Sequence, residues 1–251
     1  MRLTVLGAGP AYTDRPGATG ASYLVSLGDT HILLDLGQGS LPRLFAAIHP
    51  TSLAAVAISH LHPDHFIDLV ALRHYLRWEF DPPRRVRVLG PAGLGDRLDA
   101  LHGDPGFSAQ TFDTETLGTR ERVIGDLRLR ATLVQHTAES YGIRVAPVAG
   151  GPGLVYSGDC GRAPDLAPLL EPGDTLLSEV SYGPGPVVPG VPHLDGPAVG
   201  ALAASSRAGR VLLTHIQMGY DPDETVQSVE ARFAGPVSFV WPGSVVDLRA
   251  G

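Results

Sequence analysis

The sequence predicts an α/β domain built of two similar layers. Short aliphatic or β-branched runs recur along the whole chain, and stretches with apolar residues three to four apart alternate with them in both halves. No linker-like composition separates those halves, so residues 1–251 are read as one domain, and a hydrophobic content of 43% is ample for its core.

The first third reads as short strands at 3–6, 22–25 and 32–34, divided by turns such as Gly7-Ala8-Gly9-Pro10 and Gly28-Asp29. After Asp35-Leu36-Gly37 the spacing becomes helical around Leu41, Leu44, Phe45 and Ile48, and the apolar run 53–58 fits a buried strand. Phe66, Leu69, Val70, Leu72, Leu76 and Phe80 predict a helix over 66–80, ended by Asp81-Pro82-Pro83. Further strands are expected at 86–89, 127–134, 142–145, 154–156, 175–177, 211–213 and 237–241, with helices near 93–101, 197–208 and 222–233. The Pro/Gly-rich stretch 182–197 reads as an ordered loop or lid rather than a linker.

Acidic residues outnumber basic ones 26 to 19, every basic residue is arginine, and the net charge is −7. Such a chain offers no overall cationic field to gather the phosphates of a long nucleic acid, which is therefore disfavoured as a partner without being excluded. No run approaches the roughly 18 to 20 apolar residues of a membrane span, so no membrane partner is expected. The single cysteine, Cys160, cannot form an intramolecular disulfide. The first ten residues lack the apolar run of a signal peptide, and the expected location is the cytoplasm. A monomer and a homodimer both fit the composition.

The chemistry concentrates in His60-Leu61-His62-Pro63-Asp64-His65, three histidines and a carboxylate between an apolar strand and an amphipathic helix. In extended chain His60 and His62 point the same way, while Asp64 and His65 come from the turn that enters the helix. Imidazole and carboxylate are the donor set for zinc and similar divalent ions. A solvated histidine-rich turn is the alternative. Further donor types stand where apolar strands run out: His136, Asp159 and His215.

Together these residues resemble the metallo-β-lactamase superfamily, and the likeness spans nearly the whole chain, from Leu34-Asp35-Leu36-Gly37 through Tyr156-Ser157-Gly158-Asp159 to Leu213-Thr214-His215. The resemblance implies a metal-dependent hydrolase with a four-layer αββα sandwich and a dinuclear metal site at the edge of the two sheets. Carried over position by position, His60, His62 and His136 would bind one ion, Asp64, His65 and His215 the other, and Asp159 would bridge them. Asp35 matches the aspartate beneath the metal loop, with a structural role through hydrogen bonds to backbone groups. Two divalent ions per chain are implied, with zinc as the first expectation and manganese or iron equally compatible with His/Asp donors.

Within that superfamily the sequence is most similar to the branch of ribonuclease Z and small cyclic-nucleotide phosphodiesterases, through Ala21-Ser22-Tyr23-Leu24-Val25, His136-Thr137, Ser178-Glu179-Val180-Ser181 and His193. The resemblance implies a phosphodiesterase in which a metal-bridging hydroxide attacks phosphorus, Asp64 orients it or takes its proton, and Glu179 with His193 delivers a proton to the leaving group. Ser178 stands where ribonuclease Z tends to carry a histidine. Only 23 positions separate His136 from Asp159, too few for the tRNA-gripping arm of the bacterial enzyme. A small anionic phosphodiester, cyclic ones included, therefore ranks above a tRNA 3′-end, the alternative nuclease reading, and above a lactone or thioester, which would need no proton donor at His193.

Overall fold

A computed structural model of the chain describes residues 1–248. The elements run β1 (Arg2–Gly7), β2 (Ser22–Leu27), β3 (Thr30–Leu34), α1 (Leu41–Ala47), β4 (Leu53–Ala57), α2 (Pro63–Phe66), α3 (Leu69–Trp78), β5 (Val86–Gly90), α4 (Leu94–His102) and β6 (Phe112–Thr116). The second half continues with β7 (Arg122–Ile124), β8 (Leu127–Leu133), β9 (Tyr141–Pro147), β10 (Leu154–Tyr156), β11 (Thr175–Glu179), α5 (Gly196–Ser205), β12 (Arg210–Thr214), α6 (Pro222–Glu230), β13 (Val237–Phe239) and β14 (Val245–Asp247).

The strands form two mixed sheets, ordered β14-β1-β2-β3-β4-β5-β6 and β13-β12-β11-β10-β9-β8-β7. Alternation along each strand decides the layers, because successive side chains point to opposite faces. Ile32 and Leu34 of β3, with Leu154 and Tyr156 of β10, meet in the cluster between the sheets. Leu33, between them in β3, packs outward with Leu44 of α1, Leu72 of α3 and Leu98 of α4. Val155 of β10 likewise packs outward with Val199 and Leu202 of α5 and Val229 of α6. Helices thus cover the outer face of each sheet, and the αββα sandwich is the observed architecture.

The expected helix over 66–80 is two. α2 ends at Phe66 and α3 starts at Leu69, because the intervening backbone is engaged elsewhere: Asp68 N–H donates to Leu36 O at 3.1 Å, and its carboxylate accepts from Leu41 N at 2.9 Å. Strands β6, β7 and β14 were not expected, and β13 stops at Phe239, short of the predicted 241. All four lie at the edges of the sheets. Edge strands are short and carry polar residues that keep them from pairing further, which weakens the hydrophobic period that would reveal them.

One buried charge pair fastens the second half. Arg144 of β9, 4% exposed in its side chain, donates to Asp174, 0% exposed, at 2.7 and 3.0 Å. Asp174 also accepts from Gly153 N at 2.6 Å and from Glu171 N at 2.9 Å. Arg144→Ala leaves that carboxylate buried without its cation, so the unfolding free energy should fall by roughly 3–5 kcal/mol. Urea denaturation should show a lower midpoint at an unchanged slope; an unshifted midpoint would contradict this reading.

Candidate metal centre

The histidine-rich segment starts where β4 runs out. Ser59 and His60 are fully buried, and the chain turns at His62 into α2, with Pro63 at the first helical position where its missing N–H costs nothing. The other donors follow strand ends on the facing sheet: His136 after β8, Asp159 after β10 and His215 after β12. All seven residues that the sequence singled out as ligands converge into two adjacent groups, His60, His62, His136 and Asp159 in one, and Asp64, His65 and His215 in the other.

Within the first group His60 Nε2 lies 3.0 Å from His62 Nδ1, which lies 3.1 Å from His136 Nε2. In the second, His65 Nε2 and His215 Nε2 are 3.3 Å apart, and Asp64 Oδ2 lies 3.5 Å and 3.3 Å from them. Asp159 stands between. Its Oδ2 faces His60 and His136 at 3.8 and 3.5 Å, and its Oδ1 faces His65 and His215 at 3.4 and 3.6 Å.

The surrounding shell sets which ring nitrogens face inward. His136 Nδ1 donates to Pro192 O at 2.9 Å, and His65 Nδ1 donates to Asp35 Oδ2 at 2.7 Å. His60 Nδ1 lies 3.1 Å from Ser59 Oγ, whose own proton goes to Asp35 Oδ2; His215 Nδ1 lies 3.3 Å from Ser181 Oγ. In each of these four rings the outer nitrogen is engaged by the shell, which leaves Nε2 as the nitrogen aimed at the cluster and able to ligate once it carries no proton, the usual support of a ligating histidine. Asp35 is more than the loop fastener expected from sequence. It accepts from Ser59 N at 2.6 Å and also from Ser59 Oγ, His65 and Tyr156 OH, the last at 2.7 Å from the facing sheet.

Several lone pairs about 3 Å apart repel unless a proton or a cation lies among them, and Asp159 Oδ1 is buried with no hydrogen-bond partner among the described residues. The donor set therefore fits divalent cations. Burial and the neighbouring His65 hold His60 well below the usual histidine range, and burial and His136 lower His62. Burial opposes charge on His65 and His215 too, but the adjoining carboxylates, Asp159 first, raise both. Burial would raise Asp159, yet His215 and His65 hold it well below the carboxylate range.

Beside this cluster stands the expected acid pair. His193 Nδ1 donates to Glu179 Oε1 at 2.9 Å, and the His193 ring centroid lies 4.8 Å from that of His136. Glu179 is 1% exposed and fully engaged, accepting also from Cys160 N at 2.9 Å, Ser181 N at 3.0 Å and Ser181 Oγ at 2.6 Å. Burial opposes a charge on His193, but the Glu179 carboxylate outweighs it and raises the imidazole above its ordinary value. Sequence reasoning missed Ser59, Ser181 and Tyr156, whose partners lie mostly on other elements; only the placement of Ser181 two residues beyond Glu179 hinted at a role.

The model of the beta-lactamase superfamily domain matches residues 30–216. The uncharacterised protein ML1173 of Mycobacterium leprae is 33% identical over all of this chain and 89% of its own length. The probable metallo-hydrolase YhfI of Bacillus subtilis is 26% identical over 97% of this chain and its whole length, and ribonuclease Z of Mycobacterium marinum is 28% identical over 72% of this chain and 70% of its own. Among solved structures, B. subtilis YhfI superposes with a TM-score of 0.86 at 22% identity over 98% of both chains. A diphosphatase of the PhnP family reaches 0.78 at 17% identity over 99% and 98%, and yeast PDE1 0.71 at 13% over 97% and 98%. Family match, sheet order and convergent His/Asp groups agree, and the chain belongs to the beta-lactamase superfamily as a metal-dependent hydrolase.

Proposed function

We propose that this hydrolase is a phosphodiesterase acting on a small phosphodiester. The observation that carries the reading is the Glu179–His193 pair at 2.9 Å beside the ligand cluster, because a proton donor there serves the poor alkoxide leaving group of a phosphodiester, whereas the thiolate of a thioester departs without one. The names of ribonuclease Z, the PhnP-family diphosphatase and yeast PDE1 among the similar proteins support phosphoryl substrates. Between His136 and Asp159 the described chain forms only β9, β10 and their turns, with no projecting arm for a tRNA.

In this reading His60, His62 and His136 would hold one divalent cation, Asp64, His65 and His215 would hold a second, and Asp159, with one oxygen toward each group, would serve both. When bound, the ions supply Lewis acidity toward water and the phosphoryl oxygens. Asp64 takes a proton from the attacking water, the new phosphorus–oxygen bond forms as the bond to the leaving oxygen breaks, and His193 gives that oxygen its proton through Nε2. Glu179 holds the imidazolium in place and compensates its charge.

A panel of bis(p-nitrophenyl) phosphate, 3′,5′-cyclic nucleotides, cyclic sugar phosphates, pre-tRNA and an acyl-lactone tests this. Turnover of small diesters without the lactone is expected; lactone turnover without diester turnover would overturn it. Metal dependence has its own readout. Adding Zn²⁺ or Mn²⁺ to chelator-treated protein at a thousandfold excess over Kd should stabilise it by about 4 kcal/mol, a rise in Tm of roughly 10 °C. Because His65 and His215 are raised by their carboxylate neighbours, binding must displace protons from them, so the stabilisation should shrink as pH falls. A Tm indifferent to metal would remove the ions from the account.

A further inference from the structure

A cavity of about 280 Å³ is lined among others by Ala8, Arg15, Arg43, Ile216 and Trp241. Its wall is the backbone that carries the cluster: Ile216 directly follows His215, and His215 N–H donates to Ala8 O at 3.0 Å. Two residues of its lining, Ala8 and Ile216, are thus joined directly to the ligand His215, one by a hydrogen bond and one by the chain.

The chemistry of its lining is specific. Trp241 is 39% exposed, and Phe239 stacks on its indole with ring centroids 5.3 Å apart and planes 17° from parallel. The indole is thus a braced, flat apolar platform reachable from solvent. Arg15 lies with its guanidinium carbon 6.0 Å from the indole centroid. Its terminal nitrogens donate to the carbonyls of Ile216 at 3.0 Å and Gln217 at 3.4 Å. Carbonyls fix this guanidinium but do not neutralise it, and no described carboxylate pairs with it. Arg43, exposed on α1, likewise faces the cavity without a carboxylate partner among the described residues. In a chain of net charge −7, two uncompensated cations beside one exposed indole select an anionic ligand that carries a flat ring.

We propose that this cavity is a base subsite: a nucleotide stacks its base on Trp241, Arg15 and Arg43 face its sugar-phosphate, and its scissile phosphodiester lies at the ligand cluster. Base binding stands by itself; only the statement that the nucleotide is hydrolysed rests on the phosphodiesterase reading.

Two measurements separate these claims. In a Trp78→Phe background Trp241 is the sole indole. AMP should quench its fluorescence saturably, and calorimetry should show ribose 5-phosphate binding at least tenfold more weakly. Trp241→Ala should cost AMP roughly 5- to 150-fold in affinity, the range of one base–aromatic stack, while Trp241→Phe keeps most of it and ribose 5-phosphate is unaffected. Equal affinity of the wild-type protein for AMP and ribose 5-phosphate would overturn the subsite whatever the variants do. The second measurement compares thymidine 5′-(p-nitrophenyl) phosphate with methyl p-nitrophenyl phosphate, which share a leaving group; a kcat/KM preference of at least tenfold for the nucleotide, lost in Trp241→Ala, is expected. Selective AMP binding with neither ester hydrolysed would uphold the subsite and sink the phosphodiesterase reading. Equal hydrolysis of both esters without selective AMP binding would do the reverse.

Discussion

Alanine at Asp159 is expected to leave the chain folded, to lower its metal content below two ions, and to abolish hydrolysis. Both oxygens of this carboxylate face histidine nitrogens, Oδ2 toward the first group and Oδ1 toward the second. No other described carboxylate occupies that position between the groups. Two cations a few ångströms apart repel, and an anion between them converts part of that repulsion into attraction. At an effective dielectric constant of 20 a unit charge pair at 4 Å is worth about 4 kcal/mol, roughly a thousandfold in affinity for the more weakly held ion. Atomic-emission metal analysis of the purified variant checks this directly. Full retention of two ions per chain would show that Asp159 is not the bridge. The fold should survive because Asp159 Oδ1 makes no hydrogen bond within the described chain and the change buries no new polar group.

The second large effect is at His193. Its replacement by alanine should reduce kcat on an alkyl phosphodiester by roughly 10²- to 10⁴-fold, the usual contribution of a positioned acid, at unchanged metal content. A p-nitrophenyl ester, whose leaving phenolate needs no proton, should lose far less; equal losses on both would assign His193 to structure. Glu179→Gln provides the complementary test in pH. Burial disfavours the imidazolium, and the carboxylate is what raises His193 above its ordinary value. A general acid works only while protonated, so activity should fall as pH rises through that raised value. Neutralising residue 179 should move this alkaline limb to lower pH, and an unmoved limb would show that His193 is not the titrating group.

The contiguous part of the site was legible in the sequence because its four donors lie within six positions, between an apolar strand and a helix that betray themselves by period. His136, Asp159 and His215 were legible only as donor types at strand ends, given meaning by resemblance. The shell that orients them was not. Tyr156 donates to Asp35 across 121 positions, and Ser181 approaches His215 from 34 residues away, and a lone serine or tyrosine carries no local sign of such a partner. Arg15 and Trp241, at opposite ends of the chain, share a cavity only because β14 pairs beside β1 in the first sheet. The interior strands were read correctly, whereas of the four edge strands only β13 was found, and two residues too long, for the same reason: burial writes hydrophobic periodicity into a sequence, and an edge has little of it.

The division of the ligands between the two sheets has a mechanical consequence. His60, His62, Asp64 and His65 follow the first sheet's β4, whereas His136, Asp159 and His215 follow strands of the second, so neither half owns a complete coordination shell. A bound pair of ions would act as a cross-link across the sandwich, the role that disulfides fill elsewhere and that a chain with one cysteine cannot assign to sulfur. Stripping the metal would then loosen the seam between the halves before it unfolds either one, and amide exchange should quicken first at the strand ends that bear the histidines.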